Sequence, residues 1–311
     1  MNFQIQPPTM MLHKLLCLSI ILGLFFSCAD PKRNTDQNTT DAVLTSNGAI
    51  TANEVINRIK KGVNCEWQKE TVDTFKGGDP EQKVTGIATT FLANMDVLKR
   101  AKAQGLNLII THEPTYYNHY DETDMLAGDP VYLAKKKYIE DNGLIIWRFH
   151  DHWHQTKPDG IHEGMIDELG WNEYQQAPDK LIFNIPQTTV RDLAKRFNKL
   201  YKSNAVRVTG KPSLKVTKVG LVVGSPGYMN HIRMMQSEDI EVLLIGEANE
   251  WETVEYFRDG IGLGEKIALI SLGHANSEEG GMAYCAKWLK DLVSEVPIKH
   301  LPAGDPYWTV D

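Results

Sequence analysis

The chain has 311 residues and a formal net charge of −7. Its 40 acidic against 33 basic side chains argue against a binder of nucleic-acid backbone, which needs clustered positive charge. Four cysteines are too few and too scattered for a disulfide framework, so stability has to come from a hydrophobic core, and the length allows one large or two modest domains.

In chain order, residues 1–27 read as an export signal, because Lys14 precedes the apolar run 15–26, and that run is too short to span a bilayer. It ends in "LFFSC", which resembles the lipobox of bacterial lipoproteins, although Phe26 stands where a small residue is usual. Cys28 is therefore the expected lipidation site, and the expected location is the cell envelope, with the chain lipid-anchored to a bacterial membrane. Loss of the signal removes Lys14 and leaves a net charge of −8. Residues 28–48 hold too little apolar surface to offset the entropy of ordering them and read as a disordered tether, which puts the folded domain at 49–311. Within it, Cys65 and Cys285 are expected as free thiols.

The folded part opens with a short helix, since Thr51 and Glu54 have capping-box spacing ahead of Val55, Ile56 and Ile59, and Gly62 marks its end. "KVTGIATTF" (83–91) has strand composition, "NMDVLKRAKAQG" (94–105) has helical periodicity, and "LNLII" (106–110) is a continuous apolar strand. Asp129-Pro130 starts another helix, followed by the strand "LIIWRFH" (144–150). Farther on, Thr189 caps "VRDLAKRFNKLY", and strands are expected at 218–223, 240–245 and 266–272, with a helical "EWETVEYFRDG" between the last two. A final helix is expected from about residue 278 to 293. Apolar strands alternating with amphipathic helices predict an α/β fold of two strand-helix lobes, with mixed or parallel sheets covered by helices.

After Cys28, six of the nine histidines fall between residues 112 and 162. Their positions say more than their number: His112 follows the strand at 106–110, His150, His152 and His154 follow that at 144–149, and His274 follows that at 266–272. Ligands of open α/β sheets bind outside the carboxyl ends of the strands, so three such ends carrying imidazole predict a shared site. Imidazole with carboxylate suits zinc, iron or manganese. His112 and Glu113 leave one loop in different directions and can serve two metals, or one metal from two sides. His274 and Glu278 stand four apart at a helix start, where Ser277 is the expected N-cap and Glu279 competes with Glu278 for the role. His150, His152 and His154 alternate as one face of an extended segment, while Phe149 and Trp153 read as core.

These segments resemble a known family. "LNLIITHEPTYY" is similar to its "dLIitHHPlff", "FHDHWH" to its "aHtnlD", and "ISLGHANSEEGGM" to its "idaGHyatE"; "VGLVVGSPG" and "LLIGEANEWE" are weaker echoes. The family is the NIF-three-like dinuclear-metal-centre family, also called GTP cyclohydrolase I type 2-like, and the resemblance covers about residues 49–305. It implies two divalent metal ions held by His112, Glu113, His154, His274 and Glu278, with Glu278 bridging. Glu113 stands where the family has a second histidine, and His154 where it has aspartate. One site has lost an imidazole and gained a carboxylate and the other the reverse, so the formal charge of the set is unchanged; Asp151 is the alternative carboxylate if the histidine register shifts. The resemblance also implies a homo-oligomer assembled as rings of six.

The expected function is a dinuclear metal-dependent hydrolase of a small-molecule substrate of phosphoester, nucleotide or cyclic amide type, with water as nucleophile. Glu247, at the end of the strand at 240–245, is the expected hydrogen-bonding group or general base, and Tyr116 and Tyr117 are pocket candidates. The alternative is a non-catalytic metal-binding or metal-delivery lipoprotein.

Overall fold

Thr51 and Glu54 cap α1 (Ala52–Gly62) reciprocally in the computed structural model, which describes residues 49–203 and 205–310. The Thr51 hydroxyl accepts from the Glu54 N–H at 3.2 Å, and the Glu54 carboxylate accepts from the Thr51 N–H at 2.7 Å. The expected export signal, Cys28 and the tether at 28–48 lie outside the described residues. The chain continues through β1 (Phe75–Gly77), β2 (Ile87–Thr90), α2 (Met95–Ala103), β3 (Leu108–Thr111), α3 (Pro130–Asp141), β4 (Ile145–Arg148), α4 (Asp151–Gln155) and α5 (Gly160–Leu169). A second series follows: β5 (Ile182–Thr189), α6 (Val190–Tyr201), β6 (Arg207–Thr209), β7 (Lys215–Val222), α7 (Tyr228–Ser237), β8 (Val242–Ile245), α8 (Glu255–Gly262), β9 (Ala268–Ser271), α9 (His274–Leu289) and β10 (Ile298–His300).

Two mixed sheets result, in the strand orders β1-β4-β3-β2-β10 and β5-β7-β8-β9-β6. Strands β10, β2, β3 and β4 run parallel, with β1 antiparallel at the edge. In the second sheet β7, β8 and β9 run parallel between the antiparallel edges β5 and β6. Every residue of β2, β3, β4, β8 and β9 is buried, because helices cover both faces. The fold is therefore α/β with helix-covered mixed sheets.

Helices α5 and α9 cross with almost no side chain between them. A Cβ on Gly164 would lie 2.2 Å from the Gly280 carbonyl oxygen, and one on Gly281 would lie 2.5 Å from Ile161 Cα. Glycine is required at this crossing by space rather than by backbone angle.

Three local expectations are corrected. The last helix starts at His274 rather than near residue 278, with Gly273 (φ +91°) at its cap, so Ser277 lies in the first turn instead of capping it. There the Ser277 hydroxyl donates to the His274 carbonyl at 2.8 Å and accepts from the Gly224 N–H at 2.9 Å. The segment holding His150, His152 and His154 is not extended, because α4 coils it into a helix. Cys65 and Cys285 are free thiols, as expected.

Candidate metal centre

Two parallel strands of each sheet end near one place. Beyond β3 come His112 and Glu113, beyond β4 come His150 and α4, beyond β8 comes Glu247, and beyond β9 comes His274 at the start of α9. Helix α9 then presents Glu278 one turn later, on the same face as His274.

His112 is fully buried, and its Nδ1 lies 3.1 Å from the Phe149 carbonyl oxygen. A carbonyl only accepts, so Nδ1 carries a proton, and in the neutral ring Nε2 is the nitrogen free to accept or to bind a cation. Among the described residues that nitrogen has no hydrogen-bond partner, and it faces Glu278 Oε2 at 3.4 Å. An imidazole lone pair opposite a buried carboxylate repels it unless a proton or a cation lies between them. His274 Nε2 is 3.1 Å from the same Glu278 oxygen and 3.4 Å from Glu113 Oε1, while His150 Nε2 is 3.7 Å from that Glu113 oxygen. Ligand atoms of His112, Glu113 and Glu278 lie within 4.8 Å of one another, as do those of His112, His150 and His154. The structure thus brings His112, Glu113, His154, His274 and Glu278 together and adds His150. These His/Glu groups can hold a metal.

A second layer fixes these side chains. The α4 coil turns His150 and His154 to one side, their ring centroids 5.0 Å apart, and sends His152 the other way. Helix α4 has no side-chain cap of its own. The buried Asp73 supplies one from afar, accepting from the N–H groups of His150 (2.6 Å), Asp151 (3.0 Å) and His152 (2.9 Å), and from His152 Nδ1 (2.7 Å). His152, stacked on Trp67 at 3.6 Å, is structural. Asp151 accepts from Thr71 and from the Val72 N–H and lies 2.9 Å from His150 Nδ1, so it orients that ring instead of entering the cluster. Arg148, fully buried, donates to the His112 and His119 carbonyls and to Glu113 Oε2. On the other side the backbone closes in: at Gly224 (φ +66°) a Cβ would lie 2.2 Å from Glu278 Oε1.

Electrostatics separates neighbours in sequence. Burial pushes the Glu278 carboxyl up, but His112 and His274 overcome it and hold the group well below the usual carboxylate range. Glu279, its competitor on paper, points away, accepts from the Phe91 and Ala303 N–H groups, and is pushed up by burial to about 7. Burial likewise opposes ionisation of Glu113, yet His274, His112 and His150 hold it at about 2. Burial lowers His274, but Glu113, Glu247 and Glu278 together raise it to about 12. Glu247, half exposed, lies 3.4 Å from His274 Nδ1, whose hydrogen bond holds its carboxyl below the ordinary range. Three carboxylates thus converge on one imidazole, an excess of negative charge that suits cations.

The cluster opens on two cavities. One, of about 780 Å³, is bounded by Phe91, Asn94, Tyr117, Glu247, His274 and Tyr307. The other, of about 730 Å³, reaches His150, His154, Asp159, His162 and Glu278. Tyr117 lines the first cavity, whereas Tyr116 is buried against Tyr132. Sequence reasoning missed Arg148, Asp73, Asp159 and His162. The last two stand three apart at a helix start, a spacing that could have drawn notice; Asp73 carried no signal at all.

A family model described as Duf34/NIF3 (NGG1p interacting factor 3) matches residues 50–303. The chain is 22% identical over 272 residues to a "GTP cyclohydrolase 1 type 2 homolog" of Clostridium perfringens, a match covering 82% of this chain and 98% of that one. Among solved structures it is similar to a Bacillus cereus protein related to NIF3, with a TM-score of 0.67 and 15% identity over 84% of this chain and 100% of the other. A hypothetical protein of Staphylococcus aureus superposes with a TM-score of 0.60 and 14% identity, covering 84% of this chain and 99% of the other. At such identities the structures speak for the fold alone, while the family model spans nearly all of the described chain: the protein belongs to the Duf34/NIF3 family.

Proposed function

We propose that the chain is a dinuclear metal-dependent hydrolase of a small-molecule substrate. The observation that carries the reading is the spacing of opposed donors. N···O gaps of 3.4 Å between His112 and Glu278 and between His274 and Glu113 exceed the roughly 2.7–2.9 Å of a charge-assisted hydrogen bond. They match the edge of a tetrahedron whose zinc bonds are about 2.0–2.1 Å long, which is about 3.3 Å. Together with the unpartnered Nε2 of His112, this makes the donor set fit divalent cations. The ligands in this reading are His112, Glu113, His150, His154, His274 and Glu278, with Glu278 shared.

Two such cations, of zinc, iron or manganese, would acidify water and polarise the substrate oxygen under attack. The chain's own groups do the rest. Phe149 fixes the His112 tautomer through its carbonyl, and Asp151 orients His150. Glu247, ionised at neutral pH because His274 holds its carboxyl low, stands on the wall of the larger cavity and accepts a hydrogen bond from substrate or water. That cavity has the size of a small-molecule site. The reading also holds that Cys28 carries lipid, that the tether places the domain beside a bacterial membrane, and that copies form a homo-oligomer.

Elemental analysis of protein purified without added metal tests the centre. At least two equivalents are expected in the wild type, with loss in Glu113→Ala and Glu278→Gln. Metal retained by both variants overturns the ligand set. Turnover of a panel of phosphoesters, nucleotides and cyclic amides tests the hydrolase; no turnover by fully loaded protein, with ready transfer of metal to a chelator, points instead to metal binding or delivery. Loss of incorporated fatty acid in Cys28→Ala tests the anchor.

A further inference from the structure

Beside His154 of the six-residue cluster, the start of α5 brings two further donors to the smaller cavity. We infer that His154 Nδ1, Asp159 Oδ2 and His162 Nδ1 form a further, outer divalent-cation site beside the candidate pair. Ligand atoms of the three lie within 4.8 Å of one another. Asp159 Oδ2 is 2.9 Å from His154 Nδ1 and 3.4 Å from His162 Nδ1. The first distance suits a hydrogen bond, but the second is longer than a charge-assisted one and close to the edge of about 3.3 Å expected between zinc ligands.

The three groups are held in place. Asp159 Oδ1 accepts from the Ile161 and His162 N–H groups at 2.8 and 3.1 Å and caps α5, which fixes the carboxylate and leaves Oδ2 facing the two rings. His154 is set by α4, and His162 by the first turn of α5. Two imidazoles and one carboxylate on short helices make a three-ligand zinc set, the number found where a fourth position stays open. That position faces the cavity of about 730 Å³, and the side chains are 27%, 15% and 31% exposed, so a cation can enter without unfolding the helices.

The outer site shares His154 with the proposed pair and so rests in part on that reading. Its Nδ1 turns outward to Asp159, leaving Nε2 for the centre; a cation at the outer site takes the place of the Nδ1 proton. Asp159 and His162 belong to the outer site alone, which makes the two claims separable. The site suits a transition metal such as zinc rather than calcium or magnesium, which prefer all-oxygen ligands.

The experiment is equilibrium dialysis of the full chain against zinc, followed by elemental analysis, for the wild type, His162→Gln, Asp159→Asn and Glu113→Ala. Thermal melts of each metal-free variant verify the fold; His162→Gln is partly exposed and keeps the Asp159 cap. Three equivalents are expected in the wild type and two in His162→Gln and Asp159→Asn. Cobalt substitution should show a visible absorption band that loses intensity in His162→Gln. Equal zinc content in the wild type and His162→Gln overturns the outer site and leaves the pair standing. Loss confined to His162→Gln and Asp159→Asn, with none in Glu113→Ala, overturns the pair and leaves the outer site.

Discussion

The two sheets build their halves of the centre by different means. On the first sheet, His112, Glu113 and His150 are each steered by a polar partner outside the cluster: the Phe149 carbonyl, Arg148 and Asp151. On the second, the backbone at Gly224 closes on Glu278, Gly273 turns left-handed (φ +91°) ahead of His274, and the polar partners of His274 are site carboxylates themselves. The first half is oriented by hydrogen bonds whether or not a cation binds. The second is positioned by close approach of backbone and satisfied only by what lies at the centre. Damage to the supports of the first half should therefore lower stability or metal affinity by degrees, and damage to those of the second should lose the metal outright.

Asp73→Ala should produce the largest effect, because it strips four hydrogen bonds from the start of α4 and leaves both His152 donors buried without a partner. A loss of about 3–5 kcal/mol is expected in denaturant unfolding of metal-free protein. Asp151→Asn is milder: it leaves the fold in place but releases the orientation of His150, and metal affinity measured with a chromophoric chelator should fall about 10- to 100-fold. Gly224→Ala strains a left-handed residue and drives a methyl into the Glu278 carboxylate, costing about 1–2 kcal/mol of stability and losing bound metal. If that variant loses stability yet keeps its metal, the contrast between the halves fails.

The smallest effect is one of pH and concerns Glu279. Its folded carboxyl titrates at about 7 against an ordinary value of 4.5, so the native state binds more protons between those values. The stabilisation is complete below pH 4.5 and lost as pH rises through 7, about 1 kcal/mol of it between pH 6 and 7. Subtracting the Glu279→Gln stability curve from that of the wild type should isolate this slope. A flat difference would show that burial does not govern Glu279.

His112, Glu113 and His274 were legible in sequence because each sits where an apolar strand meets a polar residue, and Glu278 because it stands four residues after His274; strand ends and helical spacing are local features. The pairing of His150 with His154 was not, because it depends on α4 being a helix, and the cap that coils α4 comes from Asp73, 77 residues before His150. The same coil explains why His152, expected on one face with its neighbours, turns to Asp73 instead. Arg148 reads in sequence as the polar end of a strand; its role follows from the loop at 112–119 folding over it. The α/β alternation was visible throughout, whereas the return of β10 to the first sheet beside β2 was not, since three residues carry no pattern of their own.

The most direct test is anomalous diffraction from crystals of the metal-loaded protein, collected at the absorption edge of the metal it carries. The account predicts two peaks within the cluster, between His112 and Glu278 and bordered by Glu113, His150 and His274. A map with no anomalous density there, from protein whose metal content has been verified, would contradict it.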